Sequence, residues 1–379
     1  MRRLLRIIYI APLLWLPLLL IGCGGGKGGG VVGGGDTLVF RHATLLSAVR
    51  TDSFTAVTVA DPWHDGAPAA TYVLVPAAAP LPHALPQGTV VRTPLRRAVA
   101  FSAVHAALLA ELGRLADVSG VCDADYVLSD TLRAALADGR LDDFGPAMQP
   151  VVEKIVAAKA DALLISPFRD RVPGPAERLG LPAIACADYM EASPLGRAEW
   201  VCFYGMLFGC EERADSLFEA VERQYGEWKR LASTAKTRPT LMVDLRTGPV
   251  WYVAGGRSTM GRLYVDAGLR YLFAGGDERG SVALDFERVY ARCADADWWF
   301  VKYGAEADFT YASLAADDPR YRRFRPWVER RIVGCNTLRT PFYEETPFHP
   351  ERLLAEFVRA FHPELRADTL PLRYLRPLD

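Results

Sequence analysis

The sequence predicts an α/β protein in two lobes joined by one long helix, and three observations carry that prediction. Once its first three dozen residues are set aside, the 379-residue chain is still longer than one hydrophobic core usually organises. Short apolar runs alternate with helical patterns both before and after the middle of the chain, as buried parallel strands and their crossover helices do. Between the two halves, Glu211 to Ala232 keeps one apolar stripe of Leu217, Val221, Tyr225 and Trp228. At ~1.5 Å per residue such a helix spans on the order of 30 Å, enough to bridge two lobes, although the same stripe also suits an amphipathic helix packed on one domain.

The first residues belong to neither lobe. Arg2, Arg3 and Arg6 form a basic start, and Ile7 to Ile21 is uncharged and mainly apolar. That run is shorter than the ~20 residues of a spanning helix and is interrupted by Pro12 and Pro17, so it reads as the h-region of a signal peptide. Leu20-Ile21-Gly22-Cys23 matches a lipobox, making residues 1–22 a lipoprotein signal peptide and Cys23 the lipidation site. Acyl chains on Cys23 would supply the membrane anchor. Residues 23–36 are nearly all glycine and form a tether rather than a fold.

The elements follow in order. Thr37 to Arg41, Phe54 to Ala60 and Thr71 to Pro76 are β-rich runs separated by Asp-Pro and Asp-Gly turn signals. Ser102 to Leu115 and Val151 to Lys159 have helical spacing; Asp117 to Val121, Ala162 to Ile165 and Leu181 to Cys186 read as strands. Val201, Tyr204 and Phe208 share a helix face, Gly209 offers a stop, and Glu211 with Glu212 suits the first turn of the long helix. Pro239 forbids its continuation. Thr240 to Asp244, Trp298 to Val301 and Arg331 to Gly334 are the later strands, and Arg352 to Phe361 is a closing helix. The expected boundaries are residues 37–209 for the N-terminal lobe, 210–234 for the bridging helix and 235–379 for the C-terminal lobe.

Composition narrows the function. Forty-four basic residues against 45 acidic ones leave no basic excess for nucleic acid. Arg320 to Arg331 is rich in arginine but interleaved with Phe324, Pro326 and Trp327, which suits a surface segment with aromatic contacts. Beyond Cys23, six cysteines remain without a CxxC pair, which argues against a zinc or iron–sulfur site. Disulfides and buried free thiols both remain open for them.

The halves share a signature. Glu153-Lys154-Ile155 is followed by Ala160-Asp161 and a strand; Glu287-Arg288-Val289 is followed by Ala294-Asp295 and a strand. A glutamate in a first helical turn is favoured by the helix dipole in any case. Its recurrence at matched places marks Glu153 and Glu287 as a functional pair.

These features resemble the substrate-binding proteins of ABC importers for ferric siderophores, haem and vitamin B12. The resemblance rests on the helix from Glu153 with Ala160-Asp161-Ala162-Leu163-Leu164, on Glu199-Trp200 followed by Leu207-Phe208-Gly209, on Gly255-Gly256-Arg257-Ser258 with Asp266-Ala267-Gly268, and on Glu287. Ala160 stands where the family usually has proline. The resemblance implies two Rossmann-like lobes joined by a rigid helix, a class III periplasmic binding protein-like fold with the ligand in the cleft between lobes. It implies a receptor without catalysis or resident cofactor, a monomer at the periplasmic face of the cell envelope that serves an ABC permease and its ATPase. Glu153 and Glu287 would then dock onto the permease.

The cleft belongs at the carboxyl ends of the strands. That nominates Phe168 and Arg169, Tyr189 and Met190, Trp251 and Tyr252, and Tyr303, with Arg257 as a partner for an anionic ligand and Trp63 at the edge. A corrin, a porphyrin or a ferric catecholate suits such aromatics. Three rival functions are weaker. A bare zinc or manganese receptor needs converging ligands, whereas His42, His64, His83, His105, His349 and His362 are scattered. An enzyme, such as one processing a corrinoid or haem, lacks a Gly-x-Ser-x-Gly elbow or a complete phosphate loop. A surface lipoprotein that captures ligand without a permease would share the fold but not the use of Glu153 and Glu287.

Overall fold

The computed structural model describes residues 35–64, 67–169, 172–365 and 371–379. Cys23, the signal segment and most of the glycine tether lie outside the described residues. Two parallel sheets organise the fold. The first has the spatial order Ala183–Ala185, Ala162–Ile165, Ala98–Ala100, Val118–Val121 and Asp142–Asp143, every pair parallel. The second runs Arg270–Tyr271, Thr240–Val243, Trp298–Tyr303 and Ile332–Asn336 in parallel, with Arg376–Pro377 antiparallel at its edge. Ala162–Ile165, Thr240–Val243 and Ile332–Asn336 are buried at every position. Strands covered on both faces read as continuous apolar runs, which is why they are visible in sequence.

A third sheet precedes these. Asp36–Leu38, Leu46–Arg50, Thr55–Ala60 and Pro68–Pro76 pair antiparallel, and Thr89–Thr93 adds a parallel edge. Two buried carboxylates fasten it to the first lobe. Glu199 accepts hydrogen bonds from the backbone N–H groups of Arg41, His42 and Ala43, each at 2.6 Å. Glu191 accepts from Thr44 and Leu45, both at 2.9 Å, and from Trp200 Nε1 at 3.0 Å. The Glu199-Trp200 pair is thus a structural clamp in this chain: each buried charge is met by several donors.

The helix Pro194–Phe208 starts at Ser193, whose hydroxyl accepts from Gly196 N at 2.9 Å, and ends at Gly209 with φ of 62°. A β-carbon at Gly205 would lie 2.7 Å from that of Ala214, so a glycine is needed where the next helix crosses. That helix, Glu211–Ser233, is the bridge. Ala214, Phe218 and Val221 enter the core of the first lobe, whereas Tyr225 and Ala232 enter the core of the second. It ends in a cap at Thr234, before Pro239 is reached. One residue crosses the other way: Phe348, from the second half of the chain, is 3% exposed inside the first core and meets Tyr204 edge-on at 5.9 Å.

The expected strands and helices recur with ends shifted by a few residues. Elements without a clear period in sequence include the helix Asp130–Ala137 and an antiparallel sheet of Arg246–Thr247, Val250–Ala254 and Ser281–Leu284. The arginine-rich segment forms two short helical turns, Pro319–Arg323 and Arg325–Val328. Its guanidinium groups lie on aromatic rings, Arg320 4.0 Å from the Phe286 ring centre and Arg323 4.3 Å from that of Tyr290. The six cysteines beyond Cys23 are all free thiols, and burial pushes Cys122 up to about 12. Among the described residues no helix is long and apolar enough to cross a membrane.

Candidate ligand cleft

In a parallel sheet the loops after the strands gather at one edge, and several of the large exposed apolar side chains lie on those loops. Tyr126, Met148, Phe168 and Val172 follow strands of the first lobe and are 67%, 73%, 44% and 83% exposed. Leu338 and Tyr343 follow Ile332–Asn336 in the second lobe and are 43% and 54% exposed. The two sets meet: Leu128 N donates to Glu344 Oε1 at 2.9 Å, so Tyr126 and Tyr343 flank a junction between the lobes.

The second lobe adds charge at this edge. Asp244 ends Thr240–Val243 in a left-handed conformation, φ 60°, and its backbone N–H reaches Phe300 O at 2.7 Å. Its carboxylate lies 2.6 Å from Lys302 Nζ, and both side chains remain 17% exposed. Burial alone would lower the lysine pKa, but the charge and hydrogen bond of Asp244 outweigh it and hold it above the ordinary range. Tyr343 and Tyr271 are close enough to act on the same ammonium.

The first lobe has a closed counterpart. Asp188 is 1% exposed and accepts from Arg197 Nε at 2.9 Å, with His105 Nε2 at 3.1 Å and Tyr204 OH at 3.4 Å. Burial raises the Asp188 pKa, yet Arg197 and His105 more than reverse this and leave it below the usual carboxylate range.

The nominated residues separate into groups. Phe168 and Arg169 are exposed in the loop after Ala162–Ile165. Tyr189 is half-buried and donates its hydroxyl to Pro167 O, steadying that loop; burial pushes its pKa up to about 12. Tyr303 stacks on Phe309 at 4.1 Å and accepts from Phe309 N, so it is held in place. Tyr252 is 47% exposed and Arg257 is exposed. Trp63 packs its partly buried ring on the first core, with its backbone N–H on Asp61 Oδ1 at 2.8 Å.

Two nominations are corrected. Trp251 is fully buried, donates Nε1 to Val243 O at 3.0 Å and stacks on Trp299 at 5.8 Å. It lies in a strand with its side chain inward, while its neighbour Tyr252 points out, as strand alternation requires. Met190 is 7% exposed and belongs to the first core. The glycines before Arg257 also have a structural reason, since a β-carbon on Gly255 would fall 2.2 Å from Glu278 O.

Glu153 and Glu287 are exposed in the first turns of Val152–Ala157 and Phe286–Cys293. Each helix leads into a strand of its sheet, Ala162–Ile165 and Trp298–Tyr303 respectively. Arg320 Nη1 lies 3.8 Å from Glu287 Oε1, a contact too exposed to occupy the carboxylate fully. The aspartates of the shared signature pair differently from their spacing. Asp161 accepts from the N–H groups of Arg96 and Arg97 at 2.6 and 3.1 Å, ahead of the neighbouring strand. Its counterpart is Asp297, not Asp295: Asp297 accepts from Thr240 N at 2.7 Å and Thr240 Oγ1 at 2.6 Å.

Sequence reasoning missed Tyr126, Met148, Asp244, Lys302 and Tyr343. Asp244 and Lys302 are joined only by sheet register, for which no local spacing exists. Tyr126 and Met148 had a usable signal, a large apolar residue in a loop with turn residues around it.

Two parallel α/β sheets, a long helix that enters both cores and loops at the strand ends make a two-lobed, binding protein-like fold. The comparisons give the family: residues 105–335 match the family described as periplasmic binding protein, and the chain belongs to it. Its members are substrate-binding proteins of ABC transporters rather than enzymes, and they work with a permease and an ATPase. An uncharacterized lipoprotein of Methanocaldococcus jannaschii is 24% identical over 289 residues, 73% of this chain and 67% of that protein. A periplasmic heme binding protein from Pseudomonas aeruginosa superposes with a TM-score of 0.57 at 19% identity, covering 75% of this chain and 98% of that one. An ABC-type Fe3+-hydroxamate transport system structure from Saccharomonospora viridis gives 0.55 at 18% identity, covering 71% and 93%.

Proposed function

We propose that this protein is a lipid-anchored receptor that captures a metal chelate, a ferric siderophore, haem or cobalamin, in the cleft between its lobes and delivers it to an ABC permease. The observation that carries the reading is the collection of exposed Tyr126, Met148, Phe168 and Tyr343 at the strand ends of both lobes. Rings offer wide contact at small entropic cost to a flat ligand. Lys302 and Arg169 supply cations for its acidic groups. Among the described residues no three His, Cys, Asp or Glu side chains group as a bare-metal site, whereas a chelate brings its own ligands. The wider contact set comprises Phe168, Arg169, Tyr189, Tyr252, Arg257, Tyr303 and Trp63 from sequence, joined by Tyr126, Lys302 and Tyr343.

Glu153 and Glu287 are assigned to the permease. Two carboxylates on separate lobes fix orientation as well as attraction, and charged rims set association rate and register. Cys23 carries the lipid and residues 23–36 the tether, so the receptor works at a high effective concentration near its permease. The deciding experiment is a spectral titration. Residues 36–379 are mixed with hemin, cyanocobalamin and ferric hydroxamates, and visible spectra and native mass are recorded. A stoichiometric complex with one of them is expected; none with any would remove the chelate reading.

A further inference from the structure

His349 stands at the interlobe contact, in the cavity that Ser129, Thr131 and Glu344 also line. It precedes Pro350–Phe361 and is buried, its side chain 5% exposed. Its Nδ1 lies 2.9 Å from Glu351 Oε1 in the second lobe, and its Nε2 lies 2.7 Å from Glu111 Oε2 at the end of the first-lobe helix Ala103–Glu111. A neutral imidazole carries one N–H and one lone pair. It satisfies one carboxylate and turns a lone pair on the other. With both carboxylates ionised, contacts at both nitrogens are satisfied together only by the imidazolium, which donates to each.

We propose that His349 is a positioning residue: as an imidazolium it clasps Glu111 to Glu351, fixes the spacing of the lobes, and releases that spacing when it loses a proton. Lobe spacing sets the width of the cleft and the separation of Glu153 from Glu287, so the clasp governs both. It stands apart from the identity of the ligand, because it is read without one.

The surrounding groups support the charged form. Glu111 faces His349 from Ala103–Glu111, and Glu351 and Arg352 face it from Pro350–Phe361. Arg352 lies 3.9 Å from Glu111 Oε1 and 3.6 Å from Glu351 Oε1, too far to replace the imidazolium. Arg213 of the bridging helix donates to the Glu111 carbonyl at 2.6 Å, leaving the carboxylate to the histidine. Glu344 and Glu345 share a cavity of about 230 Å³ with Glu111 and His349, along with Ser129 and Thr131 from the first lobe. Burial by itself lowers the histidine pKa, but the bonds and charges of Glu111 and Glu351 outweigh it and raise it above the ordinary value. Glu111 is held below the usual carboxylate range: burial opposes ionisation, but His349 and Arg352 overcome it. A raised histidine contributes fully below its unfolded pKa, and the contribution is lost as pH rises through the folded one. The clasp is therefore closed in mildly acidic surroundings and opens in alkaline ones.

The test uses the ligand-free protein with spectroscopic labels introduced through a non-natural amino acid at exposed positions 156 and 328, one on each lobe. Inter-label distances are recorded from about pH 5.5 to about pH 9.5, a range that begins below the ordinary histidine value and extends well above it. The wild-type distribution is expected to be narrow at the acid end and to broaden or shift at the alkaline end. His349→Gln, which cannot carry the charge, and Glu111→Gln are each expected to give a broad distribution that pH does not change. A wild-type distribution that is invariant across the range overturns the proposal, as does a variant that keeps the wild-type pH response. Glu111 is 39% exposed, so its variant carries the test if His349→Gln does not fold.

Discussion

Asp188 in the first lobe and Asp244 in the second both follow a strand of a parallel sheet, and both meet a cation. Asp188 is sealed behind His105, Arg197 and Tyr204 at 1% exposure, whereas Asp244 and Lys302 keep 17% of their side chains in reach of solvent. The difference separates two uses of one position. A carboxylate whose donors all come from the protein fixes the fold around it. One that shares its cation with the open edge leaves that cation able to meet a ligand. Both sheets have five strands, in different orders, and the second lobe keeps an accessible charge at the end of a strand where the first keeps an enclosed one.

Substitutions can break that comparison. The largest effect is expected for Asp188→Ala, which leaves Arg197 and His105 facing each other without their acceptor. Breaking a buried ionic group in this way costs about 3–5 kcal/mol, read from urea unfolding. A loss below about 1 kcal/mol would show that the network is not sealed. The same residue governs the acid limb. Its folded pKa is depressed, so its stabilisation is complete above the ordinary carboxylate range and is lost as pH falls through the low folded value. Asp188→Asn should flatten the dependence of unfolding free energy on pH in that interval, and an unchanged slope would assign it elsewhere.

In the second lobe, Lys302→Met should cost less than Asp188→Ala, about 1–3 kcal/mol, because Asp244 keeps some access to water. Chelate affinity should nevertheless fall roughly tenfold, the scale of one lost charge contact. The reverse pattern, a large stability loss with affinity intact, would place Lys302 with Asp188 among the structural ions. The smallest stability change belongs to the paired Glu153→Ala and Glu287→Ala substitutions, within about 0.5 kcal/mol for exposed residues. Ligand binding should survive them while uptake in cells is lost. Uptake that persists would remove these two carboxylates from permease docking.

Some of this was legible in sequence because the physics is local. Ala162–Ile165 is a run of apolar residues that only a doubly covered strand needs, and the bridging helix repeats its stripe over six turns. Trp251 misled because aromatic residues serve cores and clefts alike; what settles its place is the inward phase of Val250–Ala254, which one strand in isolation does not reveal. Asp295 misled because equal spacing from a glutamate is not equal position in a sheet. The helix before Trp298 has 8 residues and that before Ala162 has 6, so the residue just ahead of the strand is Asp297 in one lobe and Asp161 in the other, and Asp297 performs the bond that Asp161 performs. Lys302 beside Asp244, and His349 between Glu111 and Glu351, come together only through tertiary packing.

Phe348 has a consequence for the order in which the molecule can be assembled. Its ring fills a place in the first core against Tyr204, yet it is made after every parallel strand of the second lobe. The first lobe of a nascent chain therefore has a gap in its interior until residue 348 has been synthesised. A lobe in that condition is less stable than the finished one and easier to keep extended, which is the form a chain must hold while it is threaded across a membrane. The first core is thus completed by a side chain from beyond the bridging helix, and closure of that lobe is tied to synthesis of the second.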